Sequence, residues 1–204
     1  ITMDVQEVLL KDDKTTWFIL KELIANQHVT DKVKVIARQK MESIFNFTHS
    51  LNTAESWVLC GLAESEKIDQ NTQYAICRSE NMIAKAILAA NPVCSLVTQK
   101  LLCPDVNADW GIQSALAGNQ NCDVDIQKIL IAHPTRLDAL LRLLAKNPAC
   151  ITDVQKMAVD HKDSGIRYSL AENKNVKEEF QLILAKDSDY YVRRSLATNA
   201  FCTE

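Results

Sequence analysis

The sequence predicts an all-α fold, an α-solenoid of about six to seven two-helix repeats of 26–28 residues. Three observations carry that expectation. A Leu-Ala-x-Asn cluster returns along the chain, as in "IQSALAGNQN", "LLRLLAKNPA", "IRYSLAENKN" and "VRRSLATNAF". Apolar residues around each cluster keep helical spacing. Only four Gly and four Pro occur in 204 residues, too few for the closely spaced turns of a many-stranded β protein.

Counting from the Leu of each Leu-Ala pair as position zero gives Leu62, Leu88, Leu116, Leu144, Leu170 and Leu196. Alanine follows each, and Asn stands at +3 as Asn91, Asn119, Asn147, Asn173 and Asn199, with Ser65 in the first copy. Every complete copy has Gln at +11: Gln73, Gln99, Gln127, Gln155 and Gln181. Self-similarity at such a period signals a repeat architecture. Apolar residues at −4, 0 and +1 mark one face of a first helix, and those at +10, +13 and +14 mark a second. Between the two, Asn suits a left-handed residue at a helix C-terminus, and Pro92 and Pro148 stop continuation. Asp69, Ser95, Asp123 and Thr152 fall where the second helix needs an N-cap. Each central Leu is expected in one row inside a continuous core, about 10 Å from the next.

A weaker copy surrounds Leu23, with Lys34 in place of the Gln. About half a repeat is inserted after it, around "MESIFNFTHSL". The expected organisation is a divergent capping segment over residues 1–56 and tandem repeats over 57–204, forming one continuous solenoid. The chain opens on Ile1, which reads as a cloning remnant. It stops after the first helix of a copy, as a trimmed parent or a half-repeat cap would.

The segments "LAKNPACITDVQKMAVD" and "YVRRSLATNA" resemble the bacterial leucine-rich repeat variant, whose wider relatives are HEAT-like repeats. The resemblance runs from about residue 57 onward and more loosely over Leu23 to Arg38. It implies an α-solenoid serving as a binding scaffold. The period here is longer, several copies lack Pro, and the Gln ladder is distinctive, so the family's alternation of α and 3₁₀ helices is not carried over. Nothing before Cys60 could hold the cysteine-bound iron–sulfur cluster known in that family.

The formal net charge of −3 excludes a global field for nucleic acid. No apolar run reaches membrane-spanning length and no signal-peptide pattern occurs, so a cytoplasmic protein without a membrane role is expected. Seven cysteines suggest metal, but Cys94, Cys122, Cys150 and Cys202 share position +6 with Ile68 and Val176, while Cys77 and Cys103 share +15 with Ile131 and Val159. Those are small core slots without C-x-x-C spacing; no cofactor or disulfide is expected. His133 and His161 share +17 with Ser79, Asp105 and Asp187, a turn position; no catalytic constellation accompanies them. Trp57 and Trp110 stand where they could pack over the start of the first helix or stack bases.

Each Gln amide is expected to be partly buried, bonding backbone or the Asn of a neighbouring turn. Asp125 and Lys128, like Asp153 and Lys156, are placed for pairing within one helix. Positions −3 and −2 are expected to point outward, and they turn basic in the last copies with Arg142, Arg167, Tyr168, Arg193 and Arg194, beside Tyr190 and Tyr191. Arg and Tyr favour interface hot spots. The function expected is therefore a non-enzymatic scaffold binding another protein. The alternative is nucleic-acid binding, including a DNA-glycosylase-like activity using Asp109 and Trp110, which the acidic balance disfavours.

Overall fold

In the computed structural model the described residues are 10, 17–40, 56–105 and 107–199, all helix, turn or connecting backbone with no strand among them. In chain order the helices are α1 (Trp17–Ala25), α2 (31–40), α3 (Ser56–Glu64), α4 (Gln70–Arg78), α5 (Met82–Ala90), α6 (Leu96–Leu102), α7 (Trp110–Gly118), α8 (Val124–Ile131), α9 (Leu137–Lys146), α10 (Thr152–Val159), α11 (Ser164–Ala171), α12 (Glu178–Leu184) and α13 (Tyr190–Thr198). The described helices are all α, with no 3₁₀ segment among them. None is long and apolar enough to cross a membrane. The insertion around residues 41–51 lies outside the described residues, as does Cys202.

The chain divides into two compact units, Ile1–Ala84 and Lys85–Glu204. In the first, Leu20, Leu23, Val29, Val33 and Ala37 form a buried cluster with Leu10, flanked by Ile19 and Ile24. The α3 helix packs on α4 and buries Leu59 and Ala63. Leu62, expected in the core row, is only half-buried. Here Ser65 replaces the Asn whose side chain anchors the equivalent helices downstream, and its hydroxyl instead accepts from Lys67 N.

In the second unit α9 packs against both α7 and α11, α11 against α13, and α10 against α12. Helices of seven to ten residues are marginal alone, so this packing must hold them. Leu88, Leu116, Leu144 and Leu170 are fully buried and Leu196 nearly so. Second helices bury positions +10, +11 and +14, for example Ile126, Gln127 and Leu130 in α8. Position +13, expected in the core, is buried at Ala75, yet Leu101, Met157 and Ile183 are 39%, 36% and 49% exposed. At about 100° per residue, +13 lies well off the centre of a face defined by +10, +11 and +14. In the copies of Leu101, Met157 and Ile183 the buried Gln takes the place that apolar spacing gives to +13.

The recurring Asn is not a left-handed cap. No non-Gly residue among those described has positive φ, and Asn119, Asn147 and Asn199 end their helices with extended backbone. Their side chains explain the recurrence. Asn147 Nδ2 donates to Ala117 O and Asn119 O, both at 2.7 Å, and Asn147 Oδ1 accepts from Ala149 N at 2.9 Å. Asn119 bonds Ala89 O and Asn91 O, Asn173 bonds Ala145 O and Asn147 O, and Asn199 bonds Ala171 O and Asn173 O. A helix leaves its last carbonyls without intrahelical partners. One amide of the next copy satisfies two of them, and an extended backbone aims it there.

The Gln side chains do the same at the start of each second helix. Gln127 Nε2 donates to Cys122 O at 3.0 Å and to Ala149 O at 2.8 Å, while its Oε1 accepts from Ile151 N at 3.0 Å. Gln99 and Gln155 repeat the pattern one copy earlier and one later. Gln181 donates to Val176 O and Gln73 to Ile68 O. The partners of Gln99, Gln127 and Gln155 are backbone groups, one of the two kinds expected. Asp69, Ser95 and Asp123 cap α4, α6 and α8. Thr152 does not cap: it is the first helical residue of α10, and the cap position is Ile151, whose N–H is taken by Gln127.

Candidate docking surface

Four first helices begin with a carboxylate or amide at −7. Asn81 Oδ1 accepts from Ala84 N, Asp109 Oδ1 from Gly111 N and Ile112 N, Asp163 Oδ1 from Gly165 N, and Asp189 Oδ1 from Tyr191 N. Asp109 is thereby engaged in capping, while Trp110 is 40% exposed with the Arg136 guanidinium 5.7 Å from its ring centre. Trp57 is 71% exposed. Position +17 is a turn acceptor whatever its residue. Ser79 Oγ, Asp105 Oδ1, His133 Nδ1, His161 Nδ1 and Asp187 Oδ1 each accept from the backbone N–H two residues on.

The cysteines of the second unit are buried at Cys94, Cys103, Cys122 and Cys150. Burial pushes the Cys103 thiol up to about 11 and the Cys122 and Cys150 thiols up to about 12. Among the described residues no group of three or more His, Cys, Asp or Glu is placed to hold a metal ion. The thiolate is the reactive form, so a disulfide reagent at neutral pH should modify the half-buried Cys60 and Cys77 first and spare the buried set until denaturant is added. All seven should then titrate without reductant; a lower count would show a disulfide.

The basic stripe separates into two kinds of residue. Position −3 faces inward at Leu59, Gln113 and Leu141, which are buried, and at Arg167, only 14% exposed at its side chain, whereas Arg193 is exposed as expected. On a helix that buries −4, 0 and +1, position −3 lies near the centre of the buried face and −2 far from it. Arg167 Nε and Nη2 reach the Asp187 carboxylate at 2.6 and 3.0 Å, and Nη1 donates to His161 O and Lys162 O. The guanidinium holds the Asp187 carboxyl below the ordinary carboxylate range, helped by the Asp189 N–H. Arg193 Nη1 donates to Asp187 O and Ser188 O. Gln113, which the sequence did not single out, accepts from Arg136 Nη1 at 3.0 Å. The outward pointing expected of Arg167 is therefore corrected: it ties α11 to the turn before α13.

Position −2 does face solvent in the last copies. Arg142 pairs with Asp163 at 2.7 Å, Tyr168 is 38% exposed with its hydroxyl donating to Glu172, and Arg194 is exposed. Tyr190 and Tyr191 are 59% and 65% exposed and meet edge to face at 5.5 Å. Tyr168, Lys146, Glu172 and Lys174 border a shallow depression of about 340 Å³ that Ser195 and Thr198 close from α13. Lys100 pairs with Asp125 of the next copy at 2.9 Å, a bridge between turns where pairing within one helix was expected.

A larger open groove of about 620 Å³ lies between the turn at 159–162 and α12 with its following turn. Its lining includes Leu182 and Ile183, both exposed, and the Arg167–Asp187 pair. The sequence contained one trace of it: at +12, where Lys100, Lys128 and Lys156 stand in three copies, this copy has Leu182.

No family model, no curated protein and no solved structure matches this chain.

Proposed function

We propose that this chain is a non-enzymatic binding scaffold, an α-solenoid of stacked two-helix repeats akin to leucine-rich repeat variant and HEAT-like proteins, which docks another protein. The observation that carries the reading is how the polar side chains are used. The Asn and Gln amides of successive copies bond the backbone of the adjacent copy, and the Asp residues at helix starts cap. Large side chains are left at the surface in the last copies, with Tyr168, Tyr190 and Tyr191 beside Arg142 and Arg194. In such an array the exposed side chains of the stacked units carry specificity. A cytoplasmic setting accords with thiols held buried and protonated.

The test compares the immobilised parent with a Tyr168→Ala/Tyr190→Ala/Tyr191→Ala variant of unchanged melting midpoint. A protein retained from host extract by the parent alone, and binding it directly when purified, is the expected result. Equal retention by both forms, together with duplex DNA binding that weakens steeply with salt, would replace this reading with nucleic-acid recognition.

A further inference from the structure

We propose that the groove over α12 receives an acidic, apolar segment of a partner polypeptide, a proposal that rests on the protein-docking reading above. Its apolar part is Leu182 and Ile183, 61% and 49% exposed, with buried Val159 behind them. Its charge is set by what has already been neutralised. Arg167 and Asp187 satisfy each other along one wall, leaving Lys162 and Lys186 against the single carboxylate of Asp160. Both lysines are exposed. A segment placing an aliphatic or aromatic side chain on Leu182 and Ile183, with carboxylates toward Lys162 and Lys186, complements both features.

The repeat supplies an internal comparison. The equivalent groove one copy earlier would have Pro134 and Asp160 in place of Lys162 and Lys186, and Lys156 in place of Leu182. A solvated lysine suffices at +12 for stacking in three copies, so nothing in the lattice requires an exposed Leu there. Exchange of Lys for Leu at the floor and gain of Lys at both rims occur together only in this groove among the described copies. A bare polyanion would use the lysines but gain nothing from Leu182, which favours a peptide.

The experiment selects 12-residue peptides from a degenerate displayed library on the parent chain and measures the enriched peptides by fluorescence anisotropy. Two variants are compared, Leu182→Lys/Ile183→Gln, which restores the repeat's own lysine, and Lys162→Glu/Lys186→Glu. Urea midpoints confirm that both fold. Enriched peptides should carry Asp or Glu within two residues of a large apolar side chain, and each variant should bind them at least tenfold more weakly. Peptides lacking acidic residues, or binding both variants within twofold of the parent, would overturn the groove proposal. If their binding is lost instead in the Tyr168→Ala/Tyr190→Ala/Tyr191→Ala variant, the scaffold reading stands and the groove falls. If no peptide is enriched and a labelled oligonucleotide binds, both fall.

Discussion

Asn147→Ala is expected to lower the unfolding free energy by about 3 kcal/mol, because it removes three hydrogen bonds to backbone from a buried side chain at once. The Ala117 carbonyl loses its donor and Ala149 N its acceptor, while Asn119 O is left with the Cys122 N–H alone, at a site only 4% exposed. Urea unfolding followed by circular dichroism measures this. Asn175→Ala is the internal control, since its Nδ2 bond to Pro148 O is solvent-exposed and should cost less than about 1 kcal/mol. Asn147→Asp separates shape from donor capacity. A buried carboxylate facing two carbonyls is disfavoured when ionised, so the folded state raises its pKa and binds more protons than the unfolded chain. That variant should therefore regain stability as the pH falls, opposite to the usual carboxylate trend. Equal midpoints for Asn147→Ala and Asn175→Ala would refute the assigned role.

Breaking the Arg167–Asp187 pair should cost about 3 kcal/mol, since side chains 14% and 7% exposed leave an uncompensated charge behind. Arg167→Ala also strips donors from His161 O and Lys162 O. Substituting Arg167 is thus a stability experiment; binding is better probed at Arg194, Tyr190 and Tyr191. The pH dependence follows from Asp187, whose carboxyl is held low by Arg167 and by the Asp189 N–H. Its stabilisation is complete above the unfolded aspartate pKa of about 3.9 and is lost as the pH falls through the lower folded value. Asp187→Asn should accordingly be less stable than the parent at neutral pH and flatter in the acid range. Parallel acid-denaturation curves for the two proteins would show that the pair contributes nothing.

Much of the fold was legible in the amino-acid pattern, because a two-helix period repeated in this chain averages out local ambiguity. Leu116, Leu144 and Leu170 are found buried, and Asp123 caps where turn chemistry placed it. His133 and His161 are legible as turn residues because Asp and Ser share their position, and their Nδ1 atoms accept backbone N–H groups as those oxygens do. The candidate surface was less legible. The exposure of Tyr168 and Arg194 follows from helical angle alone, but −3 adjoins the buried positions, and there Arg193 is exposed while Arg167 is closed in.

By itself the sequence determined the helical class, the period, the positions of the helices and their polar starts. The tertiary structure decided the partners: that Asn bonds the carbonyls of the preceding copy instead of adopting a left-handed cap, that Gln127 and not Thr152 serves the start of α10, and that Ile183 lies open in a groove while Arg167 is closed in an ion pair. The reason is geometric. Spacing along a chain sets the angle of a residue about its own helix axis. Whether that angle meets solvent, an apolar neighbour or a carbonyl depends on the helices packed against it, whose distance and rotation no single copy of the pattern encodes.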